Sequence, residues 1–218
     1  MDLLSSDIAG FAGTETRTYA AGESLRPLER LKHQHVWIVR GALALEVGGD
    51  PGSRAILEVF GPGSSLDPRH WEPGPGPTWS AVALLPTETL ELPVELFRQQ
   101  LSERPSLAVA LASQRAHQHA RSLDRVAALR LRDPYRRVAV ALLQLAERLG
   151  TPTPSARGSQ LELTQQLIAA FADVSRQTTN RQIRRLASER LVKPERGVVL
   201  VHDLAALAKV AAPPLREG

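Results

Sequence analysis

The stretch of sequence best suited to chemistry is rich in arginine and amide side chains and runs from Ser175 to Leu186. If it is helical, its apolar side is formed by Thr179, Ile183, Leu186 and Ala187. The other side carries polar residues only, namely Arg176, Gln177, Asn180, Arg181 and Arg184. Arginine can grip O6 and N7 of guanine, and an amide can pair with N6 and N7 of adenine. This face is therefore typical of a helix that enters the major groove of DNA.

A second short helix is predicted immediately before this one, with its apolar face at Leu167, Ile168 and Phe171. Ser175 can cap the arginine-rich helix, and further upstream Thr164 can cap its predecessor. Asp173 tolerates the tight turn between the two helices. Together they predict a helix-turn-helix, the geometry that presents a helix to the major groove. A purely structural pair of helices is the alternative.

Residues 191–201 follow as two short strands and are interpreted as a wing. Its basic residues, Lys193 and Arg196, can reach phosphate groups. The charge distribution agrees with this position. Residues 1–133 contain 14 Lys+Arg and 16 Asp+Glu, whereas residues 134–218 contain 13 and 7. The positive charge therefore belongs to the C-terminal part, which suits a polyanion there.

Two helices are predicted upstream of this segment. The first, from Pro105 to about Arg132, contains no Gly or Pro after its start, and the second runs from Pro134 to Gly150. On the first, residues at three- and four-residue steps predict a coiled-coil seam between two copies of the chain. These seam residues are Leu107, Leu111, Gln114, Gln118, Ser122, Val126 and Leu129. The alternative is a helix that lies on the sheet of its own chain.

The N-terminal half is predicted to be β structure. Short apolar runs between Arg17 and Pro93 are separated by Gly and Pro, as in a small antiparallel barrel or roll. The expected fold class is α+β, with antiparallel β structure over residues 1–104, a dimerisation helix over 105–133 and a winged helix-turn-helix over 134–218. Without cysteine the chain has neither disulfides nor thiolate metal sites. The chain shows no export signal and no long apolar run, so we expect a cytoplasmic protein without a membrane partner.

The helix-turn-helix segment resembles the DNA-binding domain of the CRP/FNR regulators. That family carries Thr-x-x-x-Ile/Leu-Ala, a turn, then Ser-Arg-x-Thr-x-x-Arg and a leucine a few residues on. The matching residues are Thr164, Ile168, Ala169, Ser175, Arg176, Thr178, Arg181 and Leu186. The motif match covers about 40 residues, and the order of domains is similar over nearly the whole chain.

The resemblance implies a cupin-like β-roll sensor domain over residues 1–104. It also implies a homodimeric transcription regulator that contacts double-stranded DNA and RNA polymerase. It implies base recognition by Arg176, Gln177 and Arg181. We expect Thr164, Lys193 and Arg196 on the DNA backbone, with Ser175, Asn180 and Arg184 as further DNA contacts. The family often has Glu where this chain has Gln177, so we expect a changed target sequence. The family's turn is usually Gly, and here it is Asp173.

The β domain lacks the features of the family's cyclic-nucleotide cradle, which resembles Gly-Glu-Leu followed by Arg-Ser-Ala. This chain has Ser64-Ser65-Leu66-Asp67-Pro68-Arg69, and later Thr78-Trp79-Ser80-Ala81. Trp79 stands at the arginine position, and Pro68 removes an amide donor. We therefore expect that cyclic AMP is not a ligand and that the protein needs no cofactor. Arg69 supplying the charge from another position is the alternative.

The histidine pairs His33/His35 and His117/His119 are candidate metal ligands. Two residues apart on a helix point to nearly opposite sides, so the second pair cannot chelate. The first pair lacks a carboxylate just downstream, and we expect solvent-facing histidines and no metal.

Other classes of function are a metal- or small-molecule-binding β-barrel, an enzyme, and a module whose helical part docks a protein. The acidic residues Glu58, Asp67 and Glu72 show no paired spacing, so we expect no catalysis. The density of arginine argues against a protein-docking surface.

Overall fold

The computed structural model describes residues 8–25, 28–48, 54–66, 79–154 and 157–212. Two compact units divide the chain, Met1–Ser122 and Leu123–Gly218. Antiparallel strands fill most of the first unit, and a long helix ends it. Helices and a small sheet make up the second. The predicted α+β class, with a β-roll, a long helix and a winged helix-turn-helix, is confirmed.

The strands of the first unit form two antiparallel sheets, in the orders β1-β7-β2-β5 and β4-β3-β6. Their bounds are β1 Glu15–Tyr19, β2 Gln34–Arg40, β3 Leu43–Gly48, β4 Arg54–Phe60, β5 Ser65–Leu66, β6 Trp79–Ala83 and β7 Thr87–Pro93. Strand β2 is buried on both faces because Val36 and Ile38 enter one apolar cluster and Trp37 enters another.

A buried carboxylate ties three elements of this unit together. Glu91 on β7 is 1% exposed and accepts a hydrogen bond from the Tyr19 hydroxyl at 2.6 Å. Arg30, in the short helix α1 (Leu28–Leu31), forms an ion pair with the same carboxylate. A buried charge is tolerated only with such partners. Burial, together with Glu91, raises the pKa of Tyr19 above its ordinary value.

Two helices complete the first unit: α2 is Val94–Glu103, and the long α3 is Pro105–Leu129. The prediction of a single long helix after Pro105 is confirmed, with an end three residues earlier than Arg132.

The predicted seam of α3 requires correction, because its residues contact their own chain. Leu107 and Leu111 pack in the cluster around Trp37. Three polar members bond to the roll: Gln114 to the Gly63 carbonyl at 2.9 Å, Gln118 to the Ser65 carbonyl at 3.4 Å, and Ser122 to Glu58 at 2.9 Å. Five of the seven predicted residues therefore contact the β-roll unit of their own chain. The three polar ones among them form hydrogen bonds with polar groups of the roll. Of the other two, Val126 is exposed and Leu129 is half-buried.

One histidine prediction is also corrected. His33 is exposed as expected, but His35 on β2 is 2% exposed and stacks on Phe97, with ring centroids 3.9 Å apart. His117 and His119 are exposed on α3. Within the described ranges, no three His, Asp or Glu side chains come together as a metal site would require. No helix among the described residues is long and apolar enough to cross a membrane.

The second unit begins with the end of α3, and its described residues form four further helices: α4 Pro134–Leu149, α5 Gln165–Ala172, α6 Arg176–Ser188 and α7 Leu204–Ala211. A four-stranded antiparallel sheet has the order β10-β11-β9-β8. Its strands are β8 Thr151–Pro152, β9 Ser159–Leu161, β10 Val192–Glu195 and β11 Val198–Val201.

A buried aromatic ring packs α5 against two cations. Phe171 is fully buried, and the guanidinium of Arg125 lies over its ring at 4.1 Å from the centroid. The guanidinium of Arg148 lies 5.9 Å from the same centroid and donates to the Gln144 carbonyl at 2.8 Å. Such cation–π contacts gain strength when they are desolvated. The last turns of α3 are therefore fixed to the first helix of the helix-turn-helix.

Candidate nucleic-acid interface

The turn between α5 and α6 has the conformation that the sequence predicts. Thr164 caps α5 by accepting a hydrogen bond from the Leu167 amide at 3.2 Å. Asp173 ends the helix in the left-handed region, with φ 51° and ψ 48°. A guanidinium nitrogen of Arg137 donates to the Asp173 carbonyl at 3.2 Å and lies 3.7 Å from its carboxylate. The turn is thus anchored to α4.

Helix α6 starts at the predicted cap, because Ser175 accepts a hydrogen bond from the Thr178 amide at 3.2 Å. Its buried side consists of Thr179, Gln182, Ile183 and Leu186. Of the four residues predicted for this side, Thr179, Ile183 and Leu186 are buried and Ala187 is half-buried. Gln182, which was not predicted there, is buried as well. This apolar stripe fixes which side of α6 faces outward.

The outward side of α6 carries the predicted arginine and amide residues. Arg176, Gln177, Arg181 and Arg184 are exposed, and Asn180 is half-exposed. A shallow depression along this side is lined by Gln177, Thr178, Asn180, Arg181 and Arg184. Within the described part of the chain, none of the three arginines forms an ion pair. Their charges are therefore available to an external anion.

The fourth arginine of α6, Arg185, contacts other residues of the second unit. The Arg185 guanidinium lies over the Tyr135 ring at 3.9 Å and contacts Glu189 at 3.2 Å. The Tyr135 hydroxyl in turn donates to Glu189. Burial and this hydrogen bond raise the pKa of the Tyr135 phenol to about 12. The cluster fixes the end of α6 to the start of α4. This cluster was not predicted from the sequence, in which the spacing of Arg185 and Glu189 by one helical turn is the only signal for it.

The wing consists of β10 and β11, joined through a turn at Gly197, whose φ is 75°. Lys193 is exposed and pairs with Glu195 at 2.7 Å, whereas Arg196 at the tip has no ion pair within the described residues. An exposed pair such as Lys193–Glu195 is weak, so the lysine can exchange partners. Strand β9 pairs with β11, from Leu161 opposite Val199 to Ser159 opposite Val201. The wing is therefore joined to the chain that leads into α5.

The capping hydroxyls of Ser175 and Thr164 differ in whether they still have a hydrogen to donate. Ser175 accepts from an amide and donates to the Thr178 hydroxyl at 3.0 Å. Thr164 accepts from the Leu167 amide, and its hydroxyl hydrogen has no acceptor among the described residues. A hydroxyl that caps a helix can still donate one hydrogen bond. Thr164 is thus better placed than Ser175 to donate to a phosphate.

A continuous exposed stripe runs along α3 on the side away from the roll. Of the five large apolar side chains that are exposed in the described residues, three lie on this helix: Val109 at 68%, Leu123 at 57% and Val126 at 60%. Exposed residues between them complete the alternation of three- and four-residue steps. The full stripe is Val109, Ala112, Ala116, His119, Leu123 and Val126. This spacing is that of a coiled-coil seam.

The residues compared with the nucleotide cradle are only partly described. Ser64, Ser65 and Leu66 are buried, and Trp79 is 40% exposed at the start of β6. Asp67, Pro68, Arg69, Glu72 and Thr78 lie outside the described residues.

Comparison with known proteins places the C-terminal part in a defined family. Residues 136–210 match the Crp-like helix-turn-helix domain. A CRP-like cAMP-activated global transcriptional regulator of Mycobacterium tuberculosis is 29% identical, over 97% of this chain and all of that protein. The cAMP-activated global transcriptional regulator CRP of Salmonella typhimurium is 26% identical, over 76% of this chain and 79% of its own length.

Solved structures share the fold along nearly the whole chain. A cyclic nucleotide-binding domain containing protein from Listeria monocytogenes superposes with a TM-score of 0.79 at 17% identity, covering 92% of this chain and 96% of the other. A CRP/FNR family transcriptional regulator from Thermus thermophilus does so with a TM-score of 0.68 at 23% identity, covering 90% and 98%. The comparisons agree: residues 136–210 match a Crp-like helix-turn-helix domain, the chain is similar along nearly its whole length to a CRP-like transcriptional regulator, and the fold is shared with solved CRP/FNR structures.

Proposed function

We propose that the protein binds a specific duplex sequence as a homodimer, with α6 of each copy in the major groove. The observation that carries this proposal is the outward side of α6, which presents unpaired arginines and amides and contains no acid. Arg176 and Arg181 read guanines, and Gln177 reads a neighbouring adenine. No catalytic activity is part of this proposal.

The residues proposed to contact the DNA backbone flank the residues that read bases. Thr164 donates to a phosphate from the start of α5, and Lys193 and Arg196 reach phosphates from the wing. Asn180 and Arg184 contact DNA further along the depression. Ser175 acts first as the cap of α6, so its contribution is to orient the first helical turn. Contacts of this kind set the register on the duplex without selecting its sequence.

The exposed stripe of α3 is the dimer interface in this proposal. Val109, Leu123 and Val126 provide apolar contact area, and the small Ala112 and Ala116 allow close approach. A two-fold dimer presents two recognition helices about 34 Å apart and therefore requires a pseudo-palindromic site. Such a dimer would work on the chromosome in the cytoplasm, with RNA polymerase as its further partner.

We also propose that binding does not depend on cyclic AMP. The Mycobacterium tuberculosis relative is described as cAMP-activated. In this chain an exposed Trp79 stands where the cyclic-nucleotide-binding pattern has arginine, so a phosphate would lose its charged partner there.

Selection of random duplexes by the purified full chain, without ligand, tests the proposal. We expect an enriched two-fold motif with half-sites about ten base pairs apart, and no change when cyclic AMP is added. Salt-sensitive binding without an enriched motif would contradict sequence-specific reading by α6. A motif that appears only with cyclic AMP would contradict ligand independence alone.

Two variants separate the base-reading and backbone roles. Arg176→Ala should weaken binding to the selected site by about 1–3 kcal/mol and relax selectivity at one position per half-site. Lys193→Ala should weaken binding to all sequences alike and reduce the salt dependence by about one charge. If Lys193→Ala weakened binding to one DNA sequence only, Lys193 would not be a backbone contact. If Arg176→Ala left selectivity unchanged, Arg176 would not read a base.

A further inference from the structure

The exposed stripe of α3 contains one ionisable residue. His119 lies between Ala116 and Leu123, at the middle of a series that is otherwise apolar. The structure shows no hydrogen bond or ion pair to its imidazole from any described residue. In a parallel two-stranded seam formed along this stripe, the two-fold axis runs along the seam, so His119 faces the His119 side chain of the second copy.

The charged groups around His119 would not compensate a positive charge. Arg115, one helical turn earlier, is directed to the roll, where it donates to the Ser65 carbonyl at 3.1 Å. His117 and Arg121, each two residues away, point to other sides of α3 and also carry no negative charge. The nearest acid on the helix, Asp124, lies about 140° around it from His119. Because no other described element covers this side of α3, the same groups of the second copy are the only additional ones facing His119.

We propose that His119 makes the dimer sensitive to pH, so that acidification separates the subunits and releases DNA. This inference rests on the proposed homodimer through the exposed stripe. Neutral imidazoles can share a partly apolar seam, whereas two imidazolium groups repel each other there and lose hydration. Imidazole is the side chain that ordinarily changes charge between pH 5 and 8.

The sign follows from proton linkage. Since the dimer disfavours the charged imidazole, it binds fewer protons than the separated subunits. Dimer formation is therefore favoured at higher pH and weakens as pH falls through the range in which imidazole ordinarily gains a proton. Between about pH 8 and about pH 5.5, we expect the dimer dissociation constant to rise by roughly tenfold to a hundredfold, since two sites titrate per dimer.

Sedimentation equilibrium of the full chain at these two pH values tests the inference, with circular dichroism to follow folding. His119→Leu and His119→Gln should both remove the pH dependence, the second without adding apolar surface. His117→Leu is the matched control and should keep it, because this exposed histidine lies off the stripe.

Each outcome bears on a different statement. A wild-type dimer that weakens in acid, together with pH-independent His119 variants, supports the inference. A wild-type dimer that is equally tight at both pH values overturns it, as does an acid-induced loss that persists in both His119 variants. A monomer at about pH 8 would instead overturn the proposed dimer itself, and with it the inference.

Discussion

Gln177 is the residue at which this chain departs from the family pattern for base recognition. Its amide is exposed in the first turn of α6. An amide offers a donor and an acceptor to adenine, whereas a carboxylate accepts from N4 of cytosine. We expect Gln177→Glu to change the preferred base at one position per half-site from adenine to cytosine. Selection with random duplexes measures this, and an unchanged motif would show that Gln177 does not contact a base.

Tyr135 provides a spectroscopic test of the cluster at the end of α6. The pKa of its phenol is raised to about 12, so the protonated form is favoured in the folded state. The stabilisation from this group is complete below the ordinary tyrosine pKa of about 10 and is lost as pH rises through the folded value. We expect unfolding free energy to fall between those values, and Tyr135→Phe to reduce that fall.

The chain has two tyrosines, and the pKa of Tyr19 is raised as well. The ultraviolet absorbance of phenolate should therefore appear only well above pH 10 while the protein is folded. Tyr135→Phe should remove one of the two transitions and leave the later one. A Tyr135 phenol that titrates at its ordinary value would contradict a buried hydrogen bond to Glu189.

At the residue scale, the sequence allowed the outward arginines of α6 to be predicted but not the role of Arg185. Helical periodicity identifies the side on which Arg176, Arg181 and Arg184 lie. It cannot indicate that Arg185 meets Tyr135, because that contact joins α6 to a residue 50 positions earlier in the chain. The burial of His35 escaped prediction for the same reason, since its stacking partner Phe97 lies on a separate helix.

At the element scale, the turn between α5 and α6 depends on a residue in the left-handed region. Asp173 has φ 51°, a conformation that strains residues with a Cβ atom and suits glycine. Both Asp173→Gly and Asp173→Ala lose the carboxylate contact with Arg137, but only the alanine keeps the strain, so we expect the glycine variant to be at least about 1 kcal/mol more stable. Urea unfolding of the two variants measures the difference. Equal stabilities would show that the backbone at this position is not strained.

Helix α3 shows why spacing alone could not identify its dimer side. Two series advance along α3 in steps of three or four residues, one through Leu107 and Gln118 and the other through Val109 and Leu123. The first contains more leucine, and periodicity favours it. Only the contacts with the roll show that this first series is covered within the chain. The caps at Thr164 and Ser175 were predictable because capping is local.

At the scale of the whole molecule, the exposed stripe of α3 should control assembly without affecting folding. Leu123 is 57% exposed, so Leu123→Asp should change the unfolding free energy of the single chain by about 0.5 kcal/mol or less. It should nevertheless separate the dimer, because a carboxylate would be buried in the seam. Sedimentation of the variant at neutral pH measures this.

Leu96→Asp is the matched control, since Leu96 is 39% exposed on α2 and lies outside the stripe. It should leave the dimer intact. A dimer that survives Leu123→Asp, or one lost equally in both variants, would show that the interface does not lie along this stripe.

The two sides of α6 have different roles, and different residues fulfil them. Thr179, Gln182, Ile183 and Leu186 hold it in the fold, and the residues that line the outward depression make no ion pair that the fold requires. Substitutions on the outward side can therefore accumulate at little cost in stability. Target preference in such a protein can drift during evolution, or be reprogrammed in the laboratory, while the scaffold that presents it stays unchanged.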